Sequence, residues 1–142
     1  MMRILLMNGP NLNMLGIREP GIYGHDTLAS IEELVVDHGR KRGVEVECFQ
    51  SNHEGDLVDK LHAAHGTFDG IIYNPGAHTH YSYALRDAVA AIDPPVVEVH
   101  LSDVDAREPF RALSVFDGVV KAKISGRGKQ GYLDGLDLLL EG

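Results

Sequence analysis

The sequence predicts a parallel β-sheet with helices packed on both faces, and three observations lead there. Short apolar or alternating segments rich in β-branched residues recur along the chain. Between them lie segments whose apolar residues fall at helical spacing. The two kinds alternate from one end to the other, as in sheets built from strand–helix–strand units. In order, Ile4–Met7 is the first strand, and Thr27–Arg42 is a helix opened by an Asp26/Thr27 cap with Leu28, Ile31, Leu34 and Val35 on one face. Val44–Phe49 follows as a strand, Asp56–His65 as a helix, Gly70–Tyr73 as a strand and Thr79–Ile92 as a helix. Val96–Val99 and Val119–Ile124 complete five strands, and Gly128–Leu140 closes the chain as a helix.

The 142 residues suit one domain spanning 1–142, and 44% hydrophobic with 24% charged residues suits a folded soluble chain with a sizeable core. With 13 Lys+Arg against 21 Asp+Glu the net charge is −8. So acidic a chain lacks the positive field that nonspecific nucleic-acid or anionic-membrane binding requires, and an anionic ligand must be met by locally placed Arg or Lys. The lone Cys48 cannot form an internal disulfide, the opening apolar run is too short for a signal peptide, and no run reaches the roughly 20 residues of a membrane helix. A cytoplasmic protein acting on a small molecule is the expectation.

In parallel sheets of this kind polar ligands bind beyond the carboxyl ends of the strands. Those positions carry Asn8-Gly9-Pro10-Asn11-Leu12-Asn13, Asn74-Pro75-Gly76, His100-Leu101-Ser102 and Ser125-Gly126-Arg127-Gly128. The first connection runs from Gly9 to His25, far beyond the usual 2–6 residues or so, and holds Arg18 and Tyr23. Long connections of this sort often act as active-site lids, which is the expectation for this one.

His100 at a strand end is the first candidate for proton transfer near neutrality. Alone it reads more readily as a structural histidine, but Glu98, two residues earlier on the same strand face, could orient the imidazole. Tyr23 is a weak base at its ordinary pKa of about 10 and could take a proton near neutrality only beside a cation. Arg18 is the candidate cation; by their residue types alone, the pair reads more readily as a loop aromatic and a solvated charge.

The runs Asn8-Gly9-Pro10-Asn11-Leu12-Asn13-Met14-Leu15-Gly16, Arg18-Glu19-Pro20 and Tyr23-Gly24 resemble the opening signature of type II 3-dehydroquinate dehydratases. The resemblance continues through Gln50-Ser51-Asn52, Asn74-Pro75-Gly76-Ala77, Thr79-His80, Ala84-Leu85-Arg86-Asp87, Glu98-Val99-His100-Leu101-Ser102, Ala106-Arg107-Glu108 and Gly131-Tyr132, covering nearly the whole chain in the family's order. It implies a flavodoxin-like, doubly wound, three-layer α/β/α fold that assembles into trimers and dodecamers. It also implies the reversible dehydration of 3-dehydroquinate to 3-dehydroshikimate without metal or organic cofactor.

Carried over by motif, Tyr23 is the base at carbon 2, activated by Arg18, and His100, oriented by Glu98, is the acid for the departing hydroxyl at carbon 1. Asn11 holds a water that stabilises the enolate. Asn74, His80, Leu101, Ser102 and Arg111 position the ring hydroxyls and carboxylate, Arg107 supports the tyrosinate, and Asp87 reaches a neighbouring subunit's site. The chemistry suits this division: enolate formation acidifies the proton beside a ketone, and a β-hydroxyl leaves readily once protonated.

The chain departs from the family pattern in reading Ser102-Asp103-Val104-Asp105 before Ala106-Arg107-Glu108, and Leu113 where a histidine usually precedes the serine. His78, Tyr81 and Tyr83 stand where Tyr or Phe, Thr and Val are more usual. Extra acids near a site for an anion weaken its binding unless they face away or pair. His62 and His65 have metal-pair spacing but no third ligand near in sequence, and the resemblance already gives His80, beside His78, a substrate role in catalysis that needs no Lewis acid, so no metal is expected. Ser125-Gly126-Arg127-Gly128 reads as a strand-to-helix turn more readily than as a phosphate cradle. A flavodoxin-like binding module is the alternative. It would need acids at the end of the first strand to receive a phosphoryl group, or a hydroxyl-rich loop there to hold flavin, where this chain has Asn8 and Gly9-Pro10-Asn11. A paralogue with lost or shifted activity is a third reading, resting on Asp103 and Asp105.

Overall fold

The computed structural model describes residues 1–17, 26–102 and 108–141. Five strands, β1 (Arg3–Asn8), β2 (Glu45–Gln50), β3 (Gly70–Asn74), β4 (Val96–Val99) and β5 (Ala122–Ile124), form one sheet in the order β2-β1-β3-β4-β5. Every neighbouring pair is parallel. This is the flavodoxin-like order, and its direction reverses between β1 and β3, where a crevice opens at the carboxyl edge.

Alternation along β1 builds both halves of the core. Ile4 and Leu6 point to the face covered by α1 (Leu28–Lys41) and α4 (Gln130–Glu141), packing with Ile31, Val35 and Leu136. Leu5 and Met7 point to the face covered by α2 (Glu54–Ala64) and α3 (Tyr83–Ala91), packing with Leu57, Leu61 and Leu85. All four strand side chains are fully buried, as expected of a strand with helices on both sides. Helix α1 begins with a reciprocal cap, in which Ser30 N–H donates to Thr27 Oγ1 at 3.1 Å and Thr27 N–H to Ser30 Oγ at 3.1 Å.

The expected helix Thr79–Ile92 is not continuous. A short 3₁₀ turn covers Gly76–His80, the chain breaks at Tyr81, and α3 starts after Ser82. The reason is local: Ser82 Oγ accepts Leu85 N–H at 3.1 Å, which makes Ser82 an N-cap, and its hydroxyl donates to Glu54 Oε2 at 2.5 Å. The cap thereby ties α3 to the first residue of α2. The expected strand Val119–Ile124 shortens to Ala122–Ile124 because the N–H groups of Val119 and Val120 bond back to the carbonyl of Phe116 in a turn. Helix α2 begins two residues earlier than its apolar pattern suggested, with Glu54 and Asp56 in a first turn that favours negative charge.

Candidate active site

The loops leaving β1 and β3 are pressed together at the crevice. Gly9 N–H donates to the carbonyl of Asn74 at 2.8 Å, carrying the β1–β3 ladder one residue past the strands. A Cβ on Gly9 would lie 2.6 Å from the carbonyl oxygen of Pro75, so no larger residue fits without moving the backbone. Gly76 at φ +60° supplies the left-handed turn that lets the second loop double back against Pro10. Asn11 also sits in the left-handed region at φ 70°, and its N–H donates to Asn52 Oδ1 at 2.9 Å. That bond presents the Asn11 side chain from a fixed turn, since asparagine tolerates this conformation better than most residues.

Below these loops a buried hydrogen-bond chain crosses the switch point. Asn74 Nδ2 donates to Tyr132 Oη at 2.9 Å, and Tyr132 Oη donates to Asn8 Oδ1 at 2.6 Å. Burial pushes the Tyr132 hydroxyl up, so it stays protonated and can donate. Gly76 N–H donates to Asn74 Oδ1 at 3.0 Å, which fixes which end of that amide faces which way. Asn8 and Tyr132 were given no individual role from sequence, because their contact joins positions 124 residues apart.

At the end of β4 the carboxylate–imidazole pair expected from its spacing is formed. His100 Nε2 lies 2.6 Å from Glu98 Oε2, and both side chains are almost wholly buried. Burial alone would raise the Glu98 carboxyl, but His100's hydrogen bond and charge, with hydrogen bonds from Thr79 and Ser114, hold it below the usual carboxylate range. Glu98 is thus an anion beside the imidazole. The His100 backbone N–H is tied to β5 by the Ile124 carbonyl at 2.9 Å, and the carbonyls of Leu101 and Ser102 accept from Gly128 at 3.0 Å and Gly126 at 3.1 Å. Three consecutive residues of the candidate site are therefore braced, His100 by the end of β5 and Leu101 and Ser102 by the glycine-rich turn that follows it.

His80 faces the same edge from the 3₁₀ turn. Its Nδ1 donates to the carbonyl of Leu113 at 2.7 Å, and its ring meets Phe110 edge-on at 5.6 Å. Burial lowers its pKa, and the nearby His100 and Arg111 add to that against the opposing pull of Leu113 and Glu98, so the imidazole is neutral near pH 7. Its Nε2 is then an acceptor. Arg111, on a second 3₁₀ turn (Pro109–Ala112), bonds through Nε to Glu108 Oε2 at 2.5 Å and lies 4.8 Å over the Phe110 ring.

The structure therefore brings Glu98, His100, Leu101, Ser102, His80 and Arg111 to one end of the sheet, with Asn74 and Asn11 at the adjoining loops. Asp87 is different: it lies on α3, exposed, 3.6 Å from Arg86. Arg18, Tyr23, Arg107, Asp103 and Asp105, and with them the expected lid, lie outside the described residues. Among the described residues no three His, Cys, Asp or Glu side chains are grouped to hold a metal ion, and no helix is long and apolar enough to cross a membrane.

A buried imidazole–carboxylate pair at the carboxyl edge of a flavodoxin-like sheet suits a proton-transfer enzyme. Residues 2–140 match the family model described as dehydroquinase class II. The chain is 57% identical over 132 residues to a 3-dehydroquinate dehydratase of Anoxybacillus flavithermus, covering 93% of this chain and 89% of that protein. It is 54% identical to one of Halalkalibacterium halodurans, covering 98% and 96%. Among solved structures, the type II dehydroquinase of Butyrivibrio crossotus superposes with a TM-score of 0.96 at 47% identity over 98% of this chain and 97% of that one. That of Propionibacterium acnes does so with a TM-score of 0.97 at 37% identity over 100% and 98%. The chain belongs to the class II dehydroquinase family, and it is an enzyme of the hydro-lyase class.

Proposed function

We propose that this chain catalyses the reversible loss of water from 3-dehydroquinate to give 3-dehydroshikimate, with residues 1–142 acting as one catalytic domain. The observation that carries the reading is the buried His100–Glu98 pair at the carboxyl edge of the sheet, in a chain so similar to named dehydratases. In this mechanism the Tyr23 phenolate, favoured by Arg18 and Arg107, takes the proton from carbon 2, and the electrons left behind form an enolate with the adjacent ketone. A water held by Asn11 donates to the enolate oxygen. Collapse of the enolate forms the carbon 1–carbon 2 double bond and expels the carbon 1 hydroxyl, which leaves as water with a proton from His100. The proton comes from the ring nitrogen that does not face Glu98. Transfer of the tyrosine proton back to the imidazole through solvent restores both groups.

Substrate contacts follow from the same geometry. The neutral His80 with its free Nε2 suits a ring hydroxyl as donor, Asn74 offers an amide already fixed in orientation, and Ser102, the Leu101 backbone and Arg111 suit the carboxylate. Release of Arg111 from Glu108 is part of that capture, since one carboxylate exchanges for another. Enone absorbance should rise when 3-dehydroquinate is added to the purified protein, and an unchanged absorbance at micromolar enzyme would sink the reading.

The chain is further proposed to work in the cytoplasm as a self-assembled trimer, and as a dodecamer built from trimers, with Asp87 of one subunit serving a neighbour's site. Tyr81 and Tyr83, 59% and 67% exposed, give the protomer an apolar surface beside α3 that suits such an interface. Sedimentation at micromolar concentration should show a species well above 15.5 kDa, and a monomer alone would refute the assembly.

A further inference from the structure

We propose that Thr79 and Ser114 are positioning residues for His100: their hydroxyls lock the Glu98 carboxylate in place, and the carboxylate in turn sets the ring orientation of the imidazole. The inference rests on the reading of His100 as the acid only where activity is concerned; the effect on the imidazole itself stands apart from it.

Thr79 Oγ1 bonds to Glu98 Oε2, and Ser114 Oγ lies 3.2 Å from each Glu98 oxygen. The two hydroxyls also meet at 2.9 Å. With His100, three donors therefore converge on one carboxyl group whose surroundings are closed to water: Thr79 is 1% exposed, Glu98 1%, His100 5% and Ser114 7%. Each hydroxyl has one proton: Thr79 gives its own to Glu98, and that of Ser114 serves Glu98 or Thr79, so the carboxylate is the common acceptor of the cluster. The hydroxyls are themselves held. Phe116 N–H donates to Ser114 Oγ at 3.2 Å, and Val115 N–H donates to the Thr79 carbonyl at 2.7 Å, which staples the two segments together beside β4.

Other titratable or charged groups also face the pair. Tyr73 on β3, fully buried, feels the Glu98 charge, and burial keeps its hydroxyl protonated. His80, with Arg111 beside it, feels both members of the pair from the opposite side. Neither Tyr73 nor His80 forms a hydrogen bond to Glu98 among the described contacts, so the two hydroxyls are what replaces water around the carboxylate.

Thr79→Val keeps the shape and removes the donor, and Thr79→Ser keeps the donor; Ser114→Ala removes the other hydroxyl. In Thr79→Val the downfield NMR signal of the His100 ring proton shared with Glu98 should broaden or vanish through exchange with solvent, because the carboxylate is no longer held against the imidazole, and kcat should fall roughly tenfold with KM little changed. Thr79→Ser should restore the signal. Ser114→Ala should act in the same direction more weakly, since its bonds are longer, and it carries the test should Thr79→Val fail to fold. A lost signal with undiminished kcat would uphold the positioning and overturn His100 as the acid. An unchanged signal in Thr79→Val and Ser114→Ala would overturn the positioning, whatever happens to kcat.

Discussion

Tyr23→Phe is expected to abolish turnover of 3-dehydroquinate, by about 10⁴-fold, while leaving its binding nearly intact. The phenyl ring still fills the place of the phenol, so contacts made equally to substrate and transition state survive and only the ionisable oxygen is lost. Among the described residues, the two imidazoles at this edge are engaged elsewhere. His100 is committed to a buried carboxylate through one nitrogen, and His80 holds its Nδ1 proton against a carbonyl. The measurement is a pair: dehydration followed by enone absorbance, and binding of 3-dehydroquinate followed by calorimetry. A variant that binds as before and retains more than about a tenth of the turnover would remove Tyr23 from the mechanism, since a general base contributes at least about 10²-fold.

His100→Ala should separate the two proton transfers. Loss of the hydroxyl from carbon 1 should fall by about 10²–10⁴-fold, the usual contribution of a general acid. Exchange of the carbon 2 proton with deuterated solvent, followed by NMR, should fall far less, because enolate formation in the proposed mechanism draws on Tyr23 and Arg18 and not on the imidazole. The substitution also leaves Glu98 buried with one donor fewer, so part of the loss reflects a disturbed site. His100→Gln, which keeps a donor toward the carboxylate, isolates the chemical part. Equal loss of exchange and elimination would mean that His100 serves binding or base activation, and His80, whose Nε2 faces the same edge, would be the next acid to test.

The parts of the fold that were legible in the sequence are those in which a repeat distance reports burial. Four consecutive apolar residues, Ile4 to Met7, fit a short strand covered on both faces, and the structure buries all four. Glu98 and His100 are two residues apart on a strand, so their meeting needs no knowledge of the rest of the chain. The break between Gly76–His80 and α3 was not legible, because Tyr83, Ala84 and Leu85 continue the apolar pattern of Thr79 onward and the interruption depends on Ser82 acting as a cap bonded to Glu54. Thr79 stood in a quoted motif without a role, and Ser114 had no local signal at all. Their partnership with Glu98 is made across 19 and 16 residues and appears only when three segments are brought together. Asp87 marks the opposite limit: the role proposed for it would belong to a neighbouring subunit, and within one protomer its contact is with Arg86.

The bond from His80 to Leu113 has a bearing on how this family can vary. The acceptor is a main-chain oxygen, and the Leu113 side chain, 59% exposed, takes no part in it. A main-chain oxygen is common property of every amino acid, so the tautomer of His80 passes unaltered through whatever residue occupies position 113. The Leu113 side chain is therefore a feature of the outer surface that leaves this inner contact untouched. A saturation library at that position should be permissive for the imidazole and selective only for what the exposed side chain meets.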